Sequence, residues 1–244
     1  MKRKIEETVK SLNRNGFTAI YAKDTESAKY KILDLIPNGS TIGIGDSVSV
    51  RQVNVLEELS KNNVIISAFS ELIALKSTEG EIKQSQRRKI YDLALDCEFF
   101  LTGTNVVTKT GKLINMDSTG NRVVGMIFGP RSPIIVVGKN KIVENLEDGL
   151  ARLRNVIAPQ HAKFKERNTP CAKTGKCTDC NSDERICNIR TILDKQPSQT
   201  DISVVVVDED LGLSWDKSWP KERIERIYSN YTELTWMKGT DWRD

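Results

Sequence analysis

Histidine is nearly absent from this sequence, since His161 is the only one among 244 residues. A second imidazole does not exist, which excludes zinc sites with two histidine ligands such as the HExxH helix. Nucleophile pairs and triads that need a histidine base can be built only around His161, which we expect to lie exposed at the surface. Metal or redox chemistry in this chain must therefore depend on sulfur.

Long apolar runs and a strong net charge are also missing. No stretch approaches the roughly 20 apolar residues of a membrane span, and residues 1–16 lack the apolar core of a signal peptide. The formal net charge of +4 is too small to predict a surface that follows nucleic-acid phosphates. These absences favour a cytoplasmic protein that neither spans a membrane nor binds nucleic acid.

The first 150 residues alternate extended and helical patterns. Apolar runs such as 40–45 and 97–102 suit buried strands, and they alternate with amphipathic segments such as 25–36. This rhythm predicts an α/β fold in which helices cover an open, mostly parallel sheet. The remaining predicted elements are helices over 49–60, 77–96 and 146–157 and strands over 17–22, 64–67, 134–138 and 202–207.

The rhythm changes after Thr102, where glycines separate short apolar runs over residues 106–108, 112–117 and 123–128. We interpret these runs as the strands of a hairpin-like insertion. The chain is then predicted to divide into an α/β domain over 1–158, a cysteine-rich metal-binding segment over 159–195, the final strand of the α/β domain within 196–213 and an aromatic tail over 214–244.

Four of the five cysteines lie within seventeen residues, in the pattern C-x5-C-x2-C-x6-C. Thiolates are soft, strongly donating ligands that bind iron-sulfur clusters or zinc, and a reducing cytosol disfavours disulfides. The spacing predicts a four-sulfur site and leaves three occupants open: a [4Fe-4S] cluster, zinc, or metal-free redox thiols. The fifth cysteine, Cys97, has the neighbours of a buried core residue. The predicted metal ligands are Cys171, Cys177, Cys180 and Cys187.

A glycine-rich loop follows the strand predicted at 40–45. Gly43, Gly45, Ser47 and Ser49 place small residues and backbone amides between a strand and a helix, which favours a bound anion. Neither a dinucleotide fingerprint nor a P-loop is complete here, and the carboxylate of Asp46 disfavours a bare phosphate. The alternative is a tight turn in which Ser47 or Ser49 caps the helix.

Two further loops follow the next predicted strands. Thr104 and Asn105 end one strand, and residues 117–122 bring together Asp117, Asn121 and Arg122. An arginine can bind a small organic acid bidentately, although an ordinary surface turn with a salt bridge is the alternative. Because ligands of open α/β sheets bind beyond the carboxyl ends of strands, we expect all three loops to converge on a small anionic metabolite. Asp46 and Asp117 are the candidate catalytic residues.

Several longer stretches together resemble the LUD (lactate-utilisation) domain family over about residues 5 to 212, in particular its branch with a C-terminal cysteine motif. They are LTGTNVVTKTGKL (101–113), GNR (120–122), FGP (128–130), VGKNKIV (137–143) and TPCAKTGKCTDC (169–180). The resemblance implies a fold of the NagB/RpiA/CoA-transferase type with an active-site cleft. No transferase glutamate is found in a matching motif, so CoA transfer is not expected. Related LUD proteins take part in lactate oxidation beside iron-sulfur subunits, which favours a [4Fe-4S] cluster over zinc.

All four tryptophans lie beyond Leu213, and disordered tails lack such residues. We expect this tail to pack on its own domain or on a second copy in a homodimer. Three hypotheses follow for the whole chain. It is an iron-sulfur protein that binds a small anionic metabolite and serves redox chemistry or electron transfer, together with a redox partner protein, in the utilisation of lactate-like organic acids. Alternatively it is a non-redox isomerase, hydrolase or transferase with structural zinc, or a non-catalytic accessory subunit.

Overall fold

The computed structural model describes residues 2–68, 70–71 and 84–234, which form an α/β fold with a parallel main sheet. The predicted helix over 77–96 lies in part outside these residues. The strands are β1 (Thr18–Ala22), β2 (Thr41–Gly45), β3 (Val64–Ser67), β4 (Phe99–Gly103), β5 (Val106–Thr108), β6 (Leu113–Asp117), β7 (Ser132–Gly138), β8 (Ile142–Val143), β9 (Ile189–Leu193) and β10 (Ser203–Val207).

Helices cover both faces of this sheet. Two of them begin directly after a residue with a non-helical backbone conformation. Asp24 caps α2 by accepting the N–H of Ser27, and Gly120, with φ of 93°, precedes α6. The helices are α1 (Lys2–Arg14), α2 (Thr25–Leu35), α3 (Val48–Val53), α4 (Leu56–Ser60), α5 (Gln84–Leu95), α6 (Asn121–Ile127), α7 (Leu146–Arg152), α8 (Ala158–Phe164), α9 (Pro170–Thr174) and α10 (Lys221–Glu233).

The main sheet has six strands in the order β1-β10-β7-β4-β2-β3, and every neighbouring pair is parallel. The open parallel sheet predicted from the sequence is therefore confirmed. Its central strands are buried on both faces, which explains why they read as continuous β-branched runs. Ile134 and Val136 pack against the helices of one face, whereas Ile135 and Val137 pack against the other face.

The hairpin insertion is confirmed for β5 and β6, which pair antiparallel. Strands β8 and β9 extend this pair to a second sheet of four strands, in the order β8-β5-β6-β9. The predicted strand over 123–128 is wrong, because these residues belong to α6. Val123 and Met126 are buried three residues apart while Val124 and Phe128 are exposed, so their burial follows helical spacing rather than alternation.

Two predicted helices have different bounds in the structure. The helix expected over 49–60 is broken into α3 and α4 at Asn54, which adopts a left-handed conformation with φ of 54°. The helix expected over 146–157 continues through a short π-helical turn at Leu153–Ile157 directly into α8, so it reaches Phe164. Pro159 lies just after this π-helical turn, as the second residue of α8.

The first part of the aromatic tail packs on its own domain, as expected. Trp215 and Tyr231 are buried against α8 in one apolar cluster with Phe164. The ring of Trp219 lies beneath the guanidinium of Arg223, 3.7 Å from the ring centroid. Trp236 and Trp242 lie outside the described residues.

Among the described residues, no helix combines the length and the apolar character that crossing a membrane requires.

Candidate functional site

The chain reverses direction in the main sheet between β2 and β4. From β2 it moves outward to β3, then returns to β4 on the other side of β2 and continues through β7 to β10. Ligands of open α/β sheets bind at such a switch point, beyond the carboxyl ends of the two strands. Those ends are Gly45 and Gly103. We call the space beyond them the switch-point crevice.

One buried lysine joins the two loops that border this crevice. Lys141 Nζ donates to Ser49 Oγ at 2.8 Å and to the carbonyl oxygen of Thr104 at 2.9 Å. Lys141 is 6% exposed, and Ser49 and Thr104 are each 1% exposed. Burial lowers the pKa of Lys141 from 10.5 to about 7, and the positive charge of Arg122 acts in the same direction. Lys141, which was not predicted, thus connects the residues that follow β2 and β4.

Arg122 connects the β4 loop to the loop between β6 and α6. An arginine carries five N–H donors, and all five of those of Arg122 are used within the protein. The side chain is largely buried, so it organises these loops in the described structure instead of presenting an open guanidinium. Its acceptors are Asp117 Oδ2 (3.1 Å), Gly103 O (3.4 Å), Asn115 Oδ1 (3.2 Å), Asn105 Oδ1 (2.9 Å) and Met116 O (2.7 Å).

Asp117 has a similar structural use. Its Oδ1 accepts the backbone N–H groups of Ser118 at 2.8 Å and Gly120 at 3.3 Å, while Oδ2 receives Arg122. These bonds shape the turn that leads into α6, where Asn121 is the first residue. The salt bridge predicted as the alternative reading of this loop is thus present.

The two glycines of β2 are explained by packing. A Cβ atom on Gly43 would lie 1.9 Å from the carbonyl oxygen of Ala94 in α5, and one on Gly45 would lie 2.5 Å from the ring of Phe100. Gly43 therefore lets α5 approach the sheet closely, and Gly45 leaves room for the ring of Phe100 in β4. Ser47 caps α3 by accepting the N–H of Val50 at 3.4 Å, which is the structural alternative considered for this loop.

Two polar atoms near these loops are buried without a hydrogen-bond partner among the described residues: Asp46 Oδ1 and Asn115 Nδ2. Asp46 directly follows β2, and burial raises the pKa of its carboxyl group from 3.8 to about 6, although Arg51 and Lys165 oppose the shift. Such atoms are rare in folded proteins because each costs about 1–3 kcal/mol. One unused acceptor and one unused donor therefore remain for a ligand.

The charges around Asp46 are mainly positive. Lys165, at the end of α8, is close enough to interact electrostatically with both Asp46 and Asp117, and burial lowers the pKa of Lys165 to about 8. Arg51 interacts with Asp46 from α3. The charged side chains that interact here are five cations, Arg51, Arg122, Lys141, Lys165 and Arg167, and two carboxylates, Asp46 and Asp117.

His161 is not exposed at the surface, so that prediction is wrong. Its Nδ1 lies 2.5 Å from the hydroxyl of Tyr231, which docks from α10. Burial lowers the pKa of the imidazole well below its usual range, and the positive charges of Lys165, Arg122 and Arg167 add to the effect. The single histidine therefore stays neutral near neutral pH and fixes the C-terminal helix to α8.

The four clustered cysteines are free, half-buried thiols between α8 and β9. Burial raises the pKa of Cys187, and its electrostatic interactions with the other three thiols show that all four lie near one another. Arg185 donates to the carbonyl oxygens of Cys180 and Cys187, and Thr169 Oγ1 lies 3.4 Å from Cys171 Sγ.

Across the described ranges, no three His, Cys, Asp or Glu side chains already stand together as a set of metal ligands. As a set of donors, four neighbouring thiols beside an arginine suit a thiolate-bound centre. Cys97, by contrast, is buried in the core as predicted.

Both ends of this cysteine segment border the crevice. Its N-terminal side follows α8, which carries Lys165. Its C-terminal side enters β9, where Ile189 pairs with Asp117, and Asn188 Nδ2 donates to the carbonyl oxygen of Ser118 at 3.5 Å. The cysteine segment therefore runs from the residue after Lys165 to the strand that pairs with Asp117.

Comparison with known proteins places the sequence in a family. The family model described as "LUD domain" matches residues 5–207, which is most of the chain. The chain belongs to the LUD domain family. This family is linked in general to lactate utilisation. No curated protein matches the chain. Among solved structures, a DUF162 family protein from Deinococcus radiodurans is similar, with a TM-score of 0.47 and 14% identity over 84% of this chain and 97% of that chain.

For this LUD domain, sequence reasoning located the loops but missed the cations that face them. Thr104 and Asn105 were predicted because they end a strand, and both belong to the observed network. Lys141 was missed because Lys139 and Lys141 follow the same strand, and residue type does not say which one turns inward. Lys139 turns outward and pairs with Asp208. Lys165 was missed because its helix was expected to end at Ile157.

Proposed function

We propose that this LUD-domain protein binds a small organic acid in the switch-point crevice and holds a [4Fe-4S] cluster for electron transfer. Cys171, Cys177, Cys180 and Cys187 would hold the cluster. The reaction would belong to the utilisation of lactate-like acids, and electrons would pass on to a redox partner protein. The observation that carries this proposal is the position of the cysteine segment, whose two ends border the crevice.

The charges of the crevice support an anionic ligand. Lys165 interacts with both Asp46 and Asp117, Arg51 interacts with Asp46, and Asp117 is already paired with Arg122. A carboxylate can be stabilised by Lys165 and Lys141, while a hydroxyl on the neighbouring carbon can donate to the buried Oδ1 of Asp46. With a pKa of about 6, Asp46 is poised to accept a proton near neutral pH. A 2-hydroxy acid therefore suits these groups.

The sulfur site supplies what the side chains of the crevice lack. An iron-sulfur cluster accepts and releases single electrons, whereas carboxylates and amines move only protons. Four thiolates around an oxidised four-iron cluster leave about two negative charges, and Arg185, which bonds to two cysteine carbonyls, can offset part of that charge. Proton transfer at Asp46 and electron transfer at the cluster would thus occur in adjoining parts of one site.

We expect anaerobically purified protein to be brown, with a broad absorption band at about 400 nm and about four irons per chain. Replacing Cys177 with serine should remove most of the iron and the band, because one of four thiolate ligands is lost. The matched control is Cys97→Ser, which changes the only cysteine outside the segment and should leave iron and absorption unchanged. A colourless protein with one zinc per chain would contradict the redox role.

We also expect L-lactate or pyruvate to bind the purified protein, as measured by isothermal titration calorimetry. Replacing Lys165 with methionine should weaken binding about tenfold or more, because a charge-assisted hydrogen bond contributes about 1.5–3 kcal/mol. Lys163→Met is the control, since Lys163 lies on the same helix but is exposed. Equal affinity for the two variants would remove Lys165 from the site, and no binding of either acid would reject the anion site itself.

One observation favours a second candidate, a non-redox enzyme with structural zinc. The crevice contains a carboxyl group and an amine with pKa values of about 6 and about 7, a combination that suits proton transfer without any electron carrier. The two candidates differ in the metal they predict. Zinc in place of iron in the anaerobic preparation would select this one.

A further inference from the structure

Lys141 occupies an unusual electrostatic position. It lies in the 3-10 turn after β7, where it is almost fully buried. Its Nζ has two hydrogen-bond acceptors, Ser49 Oγ and the carbonyl oxygen of Thr104, and neither carries a charge. Within the described part of the chain, no carboxylate forms a salt bridge with Lys141. A buried ammonium group without an opposite charge destabilises the folded protein, so stability does not explain why a lysine lies at this position.

The elements packed around Lys141 offer it no negative charge. From α6 it is faced by Arg122, whose positive charge disfavours its ionised form. On α3, Ser49 is followed by Arg51, which interacts with Asp46. The segment 211–214, which covers the amine through Gly212, contains no titratable side chain. The negative partner that a buried lysine normally has is therefore missing from its surroundings.

The hydrogen-bond geometry leaves one position on the amine. A neutral amine has two N–H donors and a lone pair, whereas an ammonium has three donors. Ser49 and Thr104 take two donors in either form. The third position is a lone pair in the neutral form and becomes a donor once a proton binds. A carboxylate arriving there would supply both the missing negative charge and the missing acceptor.

We propose that Lys141 recognises the carboxylate of the ligand, and that it takes up one proton from the solvent as that carboxylate binds. This inference rests on the proposed organic-acid site and adds the residue that binds the negatively charged group of the acid. It also restricts the ligand class to anions, because a neutral ligand gives the buried amine no reason to ionise.

The direction of the pH dependence follows from this linkage. In the ligand-free protein the pKa of Lys141 is about 7, so below that pH the ammonium is already formed and binding needs no proton. Above it the amine is neutral, and binding must draw a proton from the buffer. Affinity should therefore fall by up to about tenfold for each pH unit above about 7, while proton uptake rises toward about one per ligand.

The test is calorimetric titration of the full chain with L-lactate at about pH 8, in buffers with different ionisation enthalpies, because their difference reports the protons taken up. Lys165, with a pKa of about 8, also titrates in this range, so uptake is compared between proteins that all keep Lys165: the wild type should take up roughly 0.9 proton more than Lys141→Met. Lys141→Met should bind at least about tenfold more weakly and keep only the uptake of Lys165. Lys141→Arg, which stays charged, should also keep only the uptake of Lys165, and its affinity should fall less steeply with pH than that of the wild type. Lys139→Met is the control and should behave like wild type, because Lys139 pairs with Asp208 outside the crevice.

The outcomes separate this inference from the proposed function. If wild-type protein binds lactate without proton uptake, or if Lys141→Met keeps the full uptake, the role of Lys141 is rejected while the acid site stands. If wild-type protein binds neither lactate nor pyruvate, the acid site and this inference both fall. Should Lys141→Met not fold, the pH profiles of the wild type and of Lys141→Arg still decide the matter. Of the other titrating groups, Asp46 has a pKa near 6 and contributes at lower pH, whereas Lys165, with a pKa of about 8, contributes alike in the wild type and in the Lys141 variants.

Discussion

Replacing Arg122 with methionine should lower the free energy of unfolding by about 3–5 kcal/mol. The substitution keeps much of the apolar stem but removes five hydrogen bonds at once. It also leaves Asp117, whose side chain is 10% exposed, as a buried carboxylate without its cation. Urea denaturation of the ligand-free protein, followed by circular dichroism, measures this loss.

The matched control is Arg131→Met. Arg131 also pairs with an aspartate, Asp201, but the two side chains are 85% and 70% exposed and 3.7 Å apart. Exposed pairs of this kind contribute about 0–1 kcal/mol, so the control should unfold almost like wild type. A loss at Arg122 no larger than at Arg131 would show that the network around Arg122 does not hold the loops together.

Replacing Asp46 with asparagine should have the opposite sign and stabilise the ligand-free protein by up to about 3 kcal/mol at about pH 8. The pKa of Asp46 is raised, so the folded protein binds this proton more tightly than the unfolded chain does. Ionisation of Asp46 therefore costs stability as the pH rises from about 4 to about 6, and the full cost applies above that range. An amide has the same shape and does not ionise, which removes the cost.

The expected gain should be largest at about pH 8 and almost absent at about pH 4, as measured by urea denaturation at both values. Asp201→Asn, a substitution at an exposed carboxylate, should change little at either pH. A decrease in stability at about pH 8 would mean that Asp46 contributes a structural interaction and not an exposed cost. A carboxylate that the fold keeps at a loss of stability is typical of a functional site.

The sequence determined most of the sheet because burial on both faces leaves a strong pattern. The runs 134–137 and 204–207 are β-branched throughout, and both lie in the middle of the sheet. The same criterion failed for 123–128, whose apolar residues are also β-branched or bulky. Over six residues, a helix whose buried apolar side chains are Val123 and Met126 resembles a strand in composition.

The candidate site was predictable in position and less so in its chemistry. Polar residues after β2 and β4 were found because the carboxyl ends of parallel strands meet at one edge, whereas Asp117 and Arg122 after the antiparallel β6 were found by their residue types. The partners of Arg122 could not be read in the same way, since they are backbone carbonyls and amide side chains of the loops it joins. The burial of Lys141 depends on one 3-10 turn, and that turn has no distinct sequence pattern.

The attachment of the cysteine segment at both ends has an entropic consequence. A loop fixed only on one side would lose much conformational freedom when four thiols gather on one centre. Here helix packing at α8 and strand pairing at β9 have already closed the loop when the domain folds. Folding of the domain therefore already removes part of the conformational entropy that the segment would otherwise lose when it binds a metal centre. The affinity for iron or zinc then depends on the β6–β9 pairing as well as on the thiols.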